Sequence, residues 1–481
     1  MSRCVWLSVT TAIVLAACGG SSPTGPSGPP VVTDVNGATL PTGPTGSTIL
    51  IEGSGFGSTQ ATLSGTVRFS NGSGGTIAAT IASASDWGDT FIITTVPAGA
   101  ATGNLVVQTS KGASTPVTFT VSASAPFSPS AISWTSTSAL PVGLSGHEAA
   151  FVEIRGVATT RVVYVVGGAD STRMPRSTVY YAIVGATGTL GAWTATTALP
   201  AARAFSQAVV ATAGNSSVSG SGYLYVLGGA TDSTGAPSTT MYRGAIASDG
   251  TISGWTTLAT ALPAPLHSFG ATIFLGNLYI WGGATTGNVP VRTVYRASID
   301  AAGALGSWQT EASLPTKRAY FASGSFTGYL YAVGGDSGTV APNSGSLTTN
   351  RMDQVTYAKI DLKTRDITTA GWVVNGTALG KTRSKHTAAI ASGNVLVTAG
   401  LYTGASTGSS ENSYATINVD GSIGSFGGAT GSNTIQAGGG GNVFNQAEVG
   451  YTDGNGAFHV LVVGGDDVGT PGTKHKTAFF N

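Results

Sequence analysis

The stretch Tyr223-Leu224-Tyr225-Val226-Leu227-Gly228-Gly229 is a short apolar and aromatic run stopped by two glycines. Close copies stand at Val162 to Gly168, Asn277 to Gly283, Tyr329 to Gly335 and Phe458 to Gly465. A weaker copy, Asn394 to Gly400, ends Ala399-Gly400. The closing glycine falls at 168, 229, 283, 335, 400 and 465, in steps of 61, 54, 52, 65 and 65 residues. A strand motif returning at such intervals marks a repeat architecture, in which no unit buries its apolar surface alone. The chain downstream of residue 130 is organised around it.

Each repeat follows one grammar. A tryptophan precedes Leu-Pro at Trp134/Leu140-Pro141, Trp193/Leu199-Pro200, Trp255/Leu262-Pro263 and Trp308/Leu314-Pro315, whereas Trp372 is followed by Leu379-Gly380. A small-residue strand such as Gln207 to Ala211 comes next, then the Gly-Gly strand. A tyrosine-bearing strand follows, as at Val179-Tyr180-Tyr181 and Met241-Tyr242-Arg243, and a glycine turn leads to the next tryptophan. That makes four strands per repeat. Composition agrees with many short strands joined by small-residue turns: 71 of 481 residues are glycine, about twice the usual share, 9% are charged and 41% are hydrophobic. A net charge of +1 with no basic stripe argues against nucleic acid as a partner. Cys4 and Cys18 are the two cysteines, which excludes disulfides and cysteine-ligated metal downstream of Cys18.

With glycine pair, tyrosine and tryptophan recurring in register over about 350 residues, the chain resembles the kelch repeats, which build β-propellers with one four-stranded sheet per blade. The resemblance implies an all-β fold in which stacked blades bury one another's faces and expose only short edges. Six Gly-Gly-type strands predict six blades over residues 131–481, with a degenerate fourth strand at Ser425-Phe426-Gly427. The last repeat stops after its third strand, so the strand near Trp134 is expected to complete that sheet.

The N-terminal part reads differently. Residues 1–18 carry Arg3, an apolar run from Val5 to Ala17 and the ending Leu15-Ala16-Ala17-Cys18. This resembles the lipobox of bacterial lipoproteins, and the resemblance implies cleavage and lipidation at Cys18, hence anchoring in the cell envelope, at the outer membrane or cell surface. Residues 19–30 are a Gly/Ser/Pro tether. Residues 31–122 alternate as short strands, with candidates at Ser47 to Glu52, Gly65 to Phe69, Thr76 to Ile81, Phe91 to Val96, Asn104 to Thr109 and Val117 to Val121. Ile49-Leu50-Ile51-Glu52-Gly53-Ser54-Gly55-Phe56-Gly57, Val67-Arg68-Phe69 and Val96-Pro97-Ala98-Gly99 resemble an IPT/TIG domain, an immunoglobulin-like sandwich that serves in that family as a spacer or interaction module. Trp87 suits its core better than an exposed contact. Ser122 to Ser130 is a linker. The whole is expected to be an Ig-like β-sandwich followed by a six-bladed kelch-type propeller.

Antiparallel connectivity puts the loops between repeats and the loops after Gly-Gly on one face. The former carry Arg203, Arg318 and Arg383 at one offset and His147 and His386 three positions on. The latter carry Asp170, Asp232, Asp336, Asp466 and Asp467. Ligand-binding candidates at the ring's mouth are therefore Arg203, Arg318, Arg383, His147, His386, Asp170, Asp336 and Asp466. The bland alternative is strong for each: an arginine after Leu-Pro belongs to the kelch pattern, and an aspartate after Gly-Gly is ordinary turn chemistry. The histidines lack close ligand spacing, so no metal or cofactor is expected and no catalytic residue is assigned. Two functions fit. One is a surface-tethered, non-enzymatic binding or scaffold protein, its mouth or rim taking a glycan or an extracellular protein, with membrane contact through the lipid anchor only. The other is a glycan-active enzyme, a mutarotase, epimerase or hydrolase of an anionic sugar.

Overall fold

The computed structural model describes residues 28–38, 41–121, 134–155, 158–342, 344, 350–391, 393–402, 411–418, 420–428, 443–453, 457–467 and 477–480. Residues 1–18 with Cys18, most of the tether and the 122–130 linker lie outside them.

The chain is all-β. Near the N-terminus, Val31–Val35, Thr48–Ser54 and Phe91–Thr95 form one sheet. A second is built around Val117–Val121, Gly103–Thr109, Thr66–Ser70 and Thr76–Ala78. Alternation explains the sandwich: Ile49, Ile51, Val67, Phe69, Leu105, Val107 and Phe119 all point inward and are buried. Phe69 and Phe119 meet edge to face, 5.3 Å apart. Trp87 fills the same core, and its indole N–H donates to the Phe56 carbonyl at 3.0 Å.

Six four-stranded antiparallel sheets follow. The first runs Glu148–Ile154, Thr160–Val166, Val179–Ile183 and Thr194–Ala195, from inside out. The six innermost strands, Glu148–Ile154, Gln207–Ala211, Gly270–Phe274, Ala322–Phe326, Thr387–Ala391 and Ala447–Thr452, neighbour one another in a closed circle. The fold is a six-bladed β-propeller. Its sixth sheet takes Ala447–Thr452, Phe458–Val463 and Thr477–Phe480 from after the fifth blade and Trp134–Thr135 from just before the first, with Trp134 opposite Phe480.

The second strands are the recurrent apolar runs, and the glycines after them bind blade to blade. The second glycine of each pair donates its N–H to a carbonyl of the next blade: Gly168 to Arg203, Gly229 to Leu266, Gly283 to Arg318, Gly335 to Arg383, Gly400 to Val443 and Gly465 to Leu144, all at 2.8 or 2.9 Å. The first position has φ of 56–63° and the second 89–105°. Left-handed backbone favours glycine, and a Cβ on Gly229 would stand 2.8 Å from Ser206 Cβ. Ala399, with φ 56°, fits the first position because that region is open to other residues at a cost.

Nearer the axis lies a second cycle. Gly146, Phe205, Ser268, Tyr320, Lys385 and Asn445 all have φ of 51–57°. Each N–H donates to the carbonyl of its counterpart one blade back: Phe205 to Gly146, Ser268 to Phe205, Tyr320 to Ser268, Lys385 to Tyr320, Asn445 to Lys385 and Gly146 to Asn445, at 2.6–3.2 Å. The loop of bonds is closed.

Further out, tyrosines staple neighbours. The hydroxyls of Tyr164, Tyr225, Tyr279, Tyr331 and Tyr451 donate to the carbonyls of Gly250, Gly303, Arg365, Gly421 and Gly188, each in the turn before the next blade's outer strand, at 2.5–3.0 Å. Tyr451 does so from the innermost strand of the sixth sheet, and the fifth blade has Leu396 where the first four blades place the tyrosine on their second strand. At the rim, Trp193, Trp255 and Trp308 donate to the carbonyls of Ser138, Thr197 and Ala261 at 2.7–2.9 Å. Trp281 is fully buried, its ring 6.0 Å from that of Trp372.

Gly229→Ala is expected to destabilise the protein by about 1–3 kcal/mol or more, because strain and a contact with Ser206 add. Ala399→Gly should stay within about 1 kcal/mol of wild type. Urea midpoints of the two variants check both; equal midpoints would contradict this reading of the glycine pair.

Candidate functional site

The three arginines of the inter-blade loops do not line the face that carries those loops and the loops after Gly-Gly. Arg203, Arg318 and Arg383 are buried, and the structure corrects the expectation that they line an open mouth. Each turns into its own blade where the second and third strands diverge. Arg318 donates to the carbonyls of Ala332, Gly334 and Gln354 at 3.1–3.4 Å and to the Gln354 side chain. Arg383 donates to the carbonyls of Ala399 and Glu411, both at 3.3 Å. Arg203 reaches the Ala202 carbonyl at 2.8 Å, Ser238 Oγ at 3.3 Å and the Tyr242 hydroxyl at 3.1 Å. Burial lowers the pKa of all three guanidinium groups, and the carbonyls around them provide the compensating hydrogen bonds.

The aspartates divide. Asp170 folds an exposed turn: its Oδ1 accepts from Thr172 N at 2.8 Å, Thr172 Oγ1 at 2.6 Å and Met174 N at 3.1 Å, while Arg176 pairs with Oδ2 at 2.6 Å. Partial burial works to raise its carboxyl, but those bonds and the Arg176 charge outweigh it and hold it below the usual carboxylate range. Asp232 makes the same turn with Thr234 in the second blade. Asp336 and Asp466 are buried, and the Asp336 carboxylate accepts from Gly338 N at 2.8 Å.

Sequence reasoning missed the group at the centre of this face. Lys385 stands in the axial cycle, and its ammonium donates to the carbonyls of Ala341 at 3.0 Å, Pro342 at 2.9 Å and Ser344. It also lies 5.1 Å from the Tyr320 ring centre and 5.9 Å from that of Phe444. Burial, then the Arg351 charge, lowers its pKa to about 7, with Asp466 and Asp336 opposing. The segment it holds spans the mouth: Asn445 Nδ2 donates to the Pro342 carbonyl at 3.1 Å, the Tyr320 hydroxyl to Val340 O at 2.7 Å, and Pro342 also packs beside Gly235 of the second blade. His267 extends this cover, bonding Asn288 Oδ1 at 2.9 Å and Ser268 Oγ at 3.1 Å, and burial lowers its pKa to about 4.

Against this cover, on the axis, lies a cavity of about 130 Å³. His147 and His386 reach it, as do Glu148, Gln207, Gln446 and Glu448. His386 is held by the Val333 carbonyl, 3.0 Å from Nε2, and burial, aided by Arg383, lowers its pKa to about 3. Glu148 Oε1 accepts from Gln207 Nε2 at 2.9 Å, and burial raises its carboxyl to about 8. Glu448 Oε2 accepts from Thr387 Oγ1 at 2.8 Å and from Thr398 Oγ1; burial raises it to about 7 against those hydroxyls. Both carboxyls lie deep within the protein, and each keeps part of its side chain open towards the cavity.

No protein-family model matches the sequence, and no curated protein matches it. Among solved structures, the structure of YjhT aligns with 71% of this chain and 95% of its own, at 13% identity and a TM-score of 0.49.

Arg318→Leu should cost about 2–4 kcal/mol in urea denaturation, since it removes a buried donor shared by three carbonyls and the Gln354 side chain. Raised carboxyls bind more protons in the folded than in the unfolded chain, so Glu148 and Glu448 contribute stability at low pH that is lost as pH climbs through about 7 to 8. Glu448→Gln should therefore melt progressively higher relative to wild type from about pH 5 to about pH 8. A constant difference in melting temperature across that range would contradict the burial of this carboxyl.

Proposed function

We propose that this is a lipid-anchored protein of the bacterial cell envelope, with an IPT/TIG-type spacer and a kelch-type propeller, that binds a glycan or an extracellular protein through the loops after its Gly-Gly strands. The observation that supports it most is where the sandwich packs. Lys363 donates to the Ser85 carbonyl at 2.6 Å and lies 4.6 Å from the Phe91 ring centre, and Arg365 pairs with Glu52. Gly37 lies against Leu275, and Arg155 donates to Thr120 Oγ1 at 3.4 Å. All four propeller residues belong to turns on the face opposite the loops after Gly-Gly. A spacer seated there leaves the other face turned outward, with Arg173, Met174, Arg176 and Val289 exposed on it. Apolar and cationic side chains raised on rigidly based loops suit recognition of a partner surface.

The second reading, a glycan-active enzyme, draws on Glu148 and Glu448, whose carboxyls burial raises to about 8 and about 7. Glycan arrays and envelope-protein capture with the mature chain separate the two. Binding is expected to be lost in an Arg173→Glu, Met174→Asp, Val289→Asp variant and kept, per folded molecule, in Arg318→Leu. Binding indifferent to the loop variant contradicts the proposal. Turnover of an anionic sugar that disappears in Glu148→Gln or Glu448→Gln would favour the enzyme.

A further inference from the structure

We infer that the partner of the outward loops is a polyanionic glycan chain, held by exposed cations spread over several blades. This rests on the reading of that face as the binding face and names what it binds.

The sorting of charge carries the inference. Arg173 and Arg176 stand on the loop after the first Gly-Gly, Arg292 on the loop after the third, and Lys317 and Lys381 on the loops leading into the fourth and fifth blades. All five are exposed, and among the described residues no exposed acidic side chain shares these loops with them. Two of the five are neutralised, Arg176 by Asp170 at 2.6 Å and Lys381 by Glu411 at 2.8 Å. Arg173, Arg292 and Lys317 have no carboxylate at ion-pair distance among the described residues.

The other acids of this face are committed or withdrawn. Asp232 accepts from the N–H groups of Thr234, Gly235 and Ala236 in its own turn. Asp336 and Asp466 are buried, and Asp353 is half-buried. Near the axis the charges of Arg351 and Arg173 both press on Lys385, with Asp466 and Asp336 opposing. An arriving anion therefore meets cations and few competing carboxylates.

The opposite face is different. Its exposed charges have both signs, with Asp249, Asp300 and Asp420 in the turns before the outer strands and Lys359 and Lys363 beside them. In a chain with 9% charged residues and a net charge of +1, the outward cations are a local feature and not a general excess.

A chain of anionic sugars suits this layout better than a protein surface does. Protein interfaces centre on contiguous apolar and aromatic anchors. Here the exposed aliphatic side chains Val142, Met174 and Val289 sit on three separate loops, and among the described residues no aromatic side chain is exposed. The cations are scattered in the same way. A polymer with repeated charges meets several of them at once, and each contact after the first is intramolecular.

The probe is immobilised alginate, a linear polyuronate, offered to the mature protein, with dextran as the neutral counterpart. Alginate should bind and dextran should not. Binding should weaken at least about tenfold between about 50 and about 200 mM salt, as a few charge contacts to a polyanion require. Arg173→Glu, Arg292→Glu and Lys317→Glu combined, checked for a native melting temperature, should abolish it. Lys359→Glu on the opposite face should leave it unchanged, as should Met174→Ser with Val289→Ser. Alginate ignored by the wild type, or bound equally by the triple variant, overturns the inference. Capture of dextran or of an envelope protein that is lost with Met174→Ser and Val289→Ser, yet survives the charge reversal, overturns the inference and leaves the binding face standing.

Discussion

A ring of six backbone hydrogen bonds around the axis fixes everything else in the propeller. Gly146, Phe205, Ser268, Tyr320, Lys385 and Asn445 each hold left-handed backbone and each donate to the residue one blade back. A closed cycle of this kind has no free end. Each link sets the angle between two blades, and six equal links return the chain to its start. The Gly-Gly cycle, with its bonds from Gly168 round to Gly465, repeats the constraint at a larger radius. Tyrosine hydroxyls and tryptophan N–H groups extend it outward where width allows larger side chains.

Closure also explains the split sheet. An open stack of repeats leaves two bare edges, which are sites for unwanted pairing. Setting Trp134–Thr135 beside Thr477–Phe480 removes both edges and ties the front of the repeat region to its end. The fifth blade carries Leu396 where the first four blades have a tyrosine on the second strand. Tyr451 and His459, stacked 5.4 Å apart, bridge from the sixth blade to the first.

Much of the fold was legible because structural tasks that recur leave recurring residues. The Gly-Gly position and the tryptophans serve one inter-blade contact six and three times over. The stapling hydroxyls of Tyr164, Tyr225, Tyr279 and Tyr331, by contrast, stand on the second strands and not on the third strands whose tyrosines mark the repeat. The arginines after Leu-Pro recur for the same reason: Arg203, Arg318 and Arg383 brace diverging strands, so their periodicity reported a scaffold and not a ligand. The axial cycle was hidden, since its bonds are all main chain and its side chains range from none at Gly146 to the ammonium of Lys385. The cavity carboxyls were hidden too. Glu148 and Glu448 occur once each, at different positions of their strands, and only closure of the ring brings them to one space.

Native-state hydrogen exchange at the seam tests this account most directly. Closure predicts that the amides of Gly146 and Gly465, whose bonds join the sixth blade to the first, exchange only with global unfolding, at the same free energy as those of Phe205 and Gly283 in the uninterrupted part of the ring. Seam amides that open at a distinctly lower free energy than those would show an open array of blades, and would contradict the closed cycle on which the fold and its axial cavity depend.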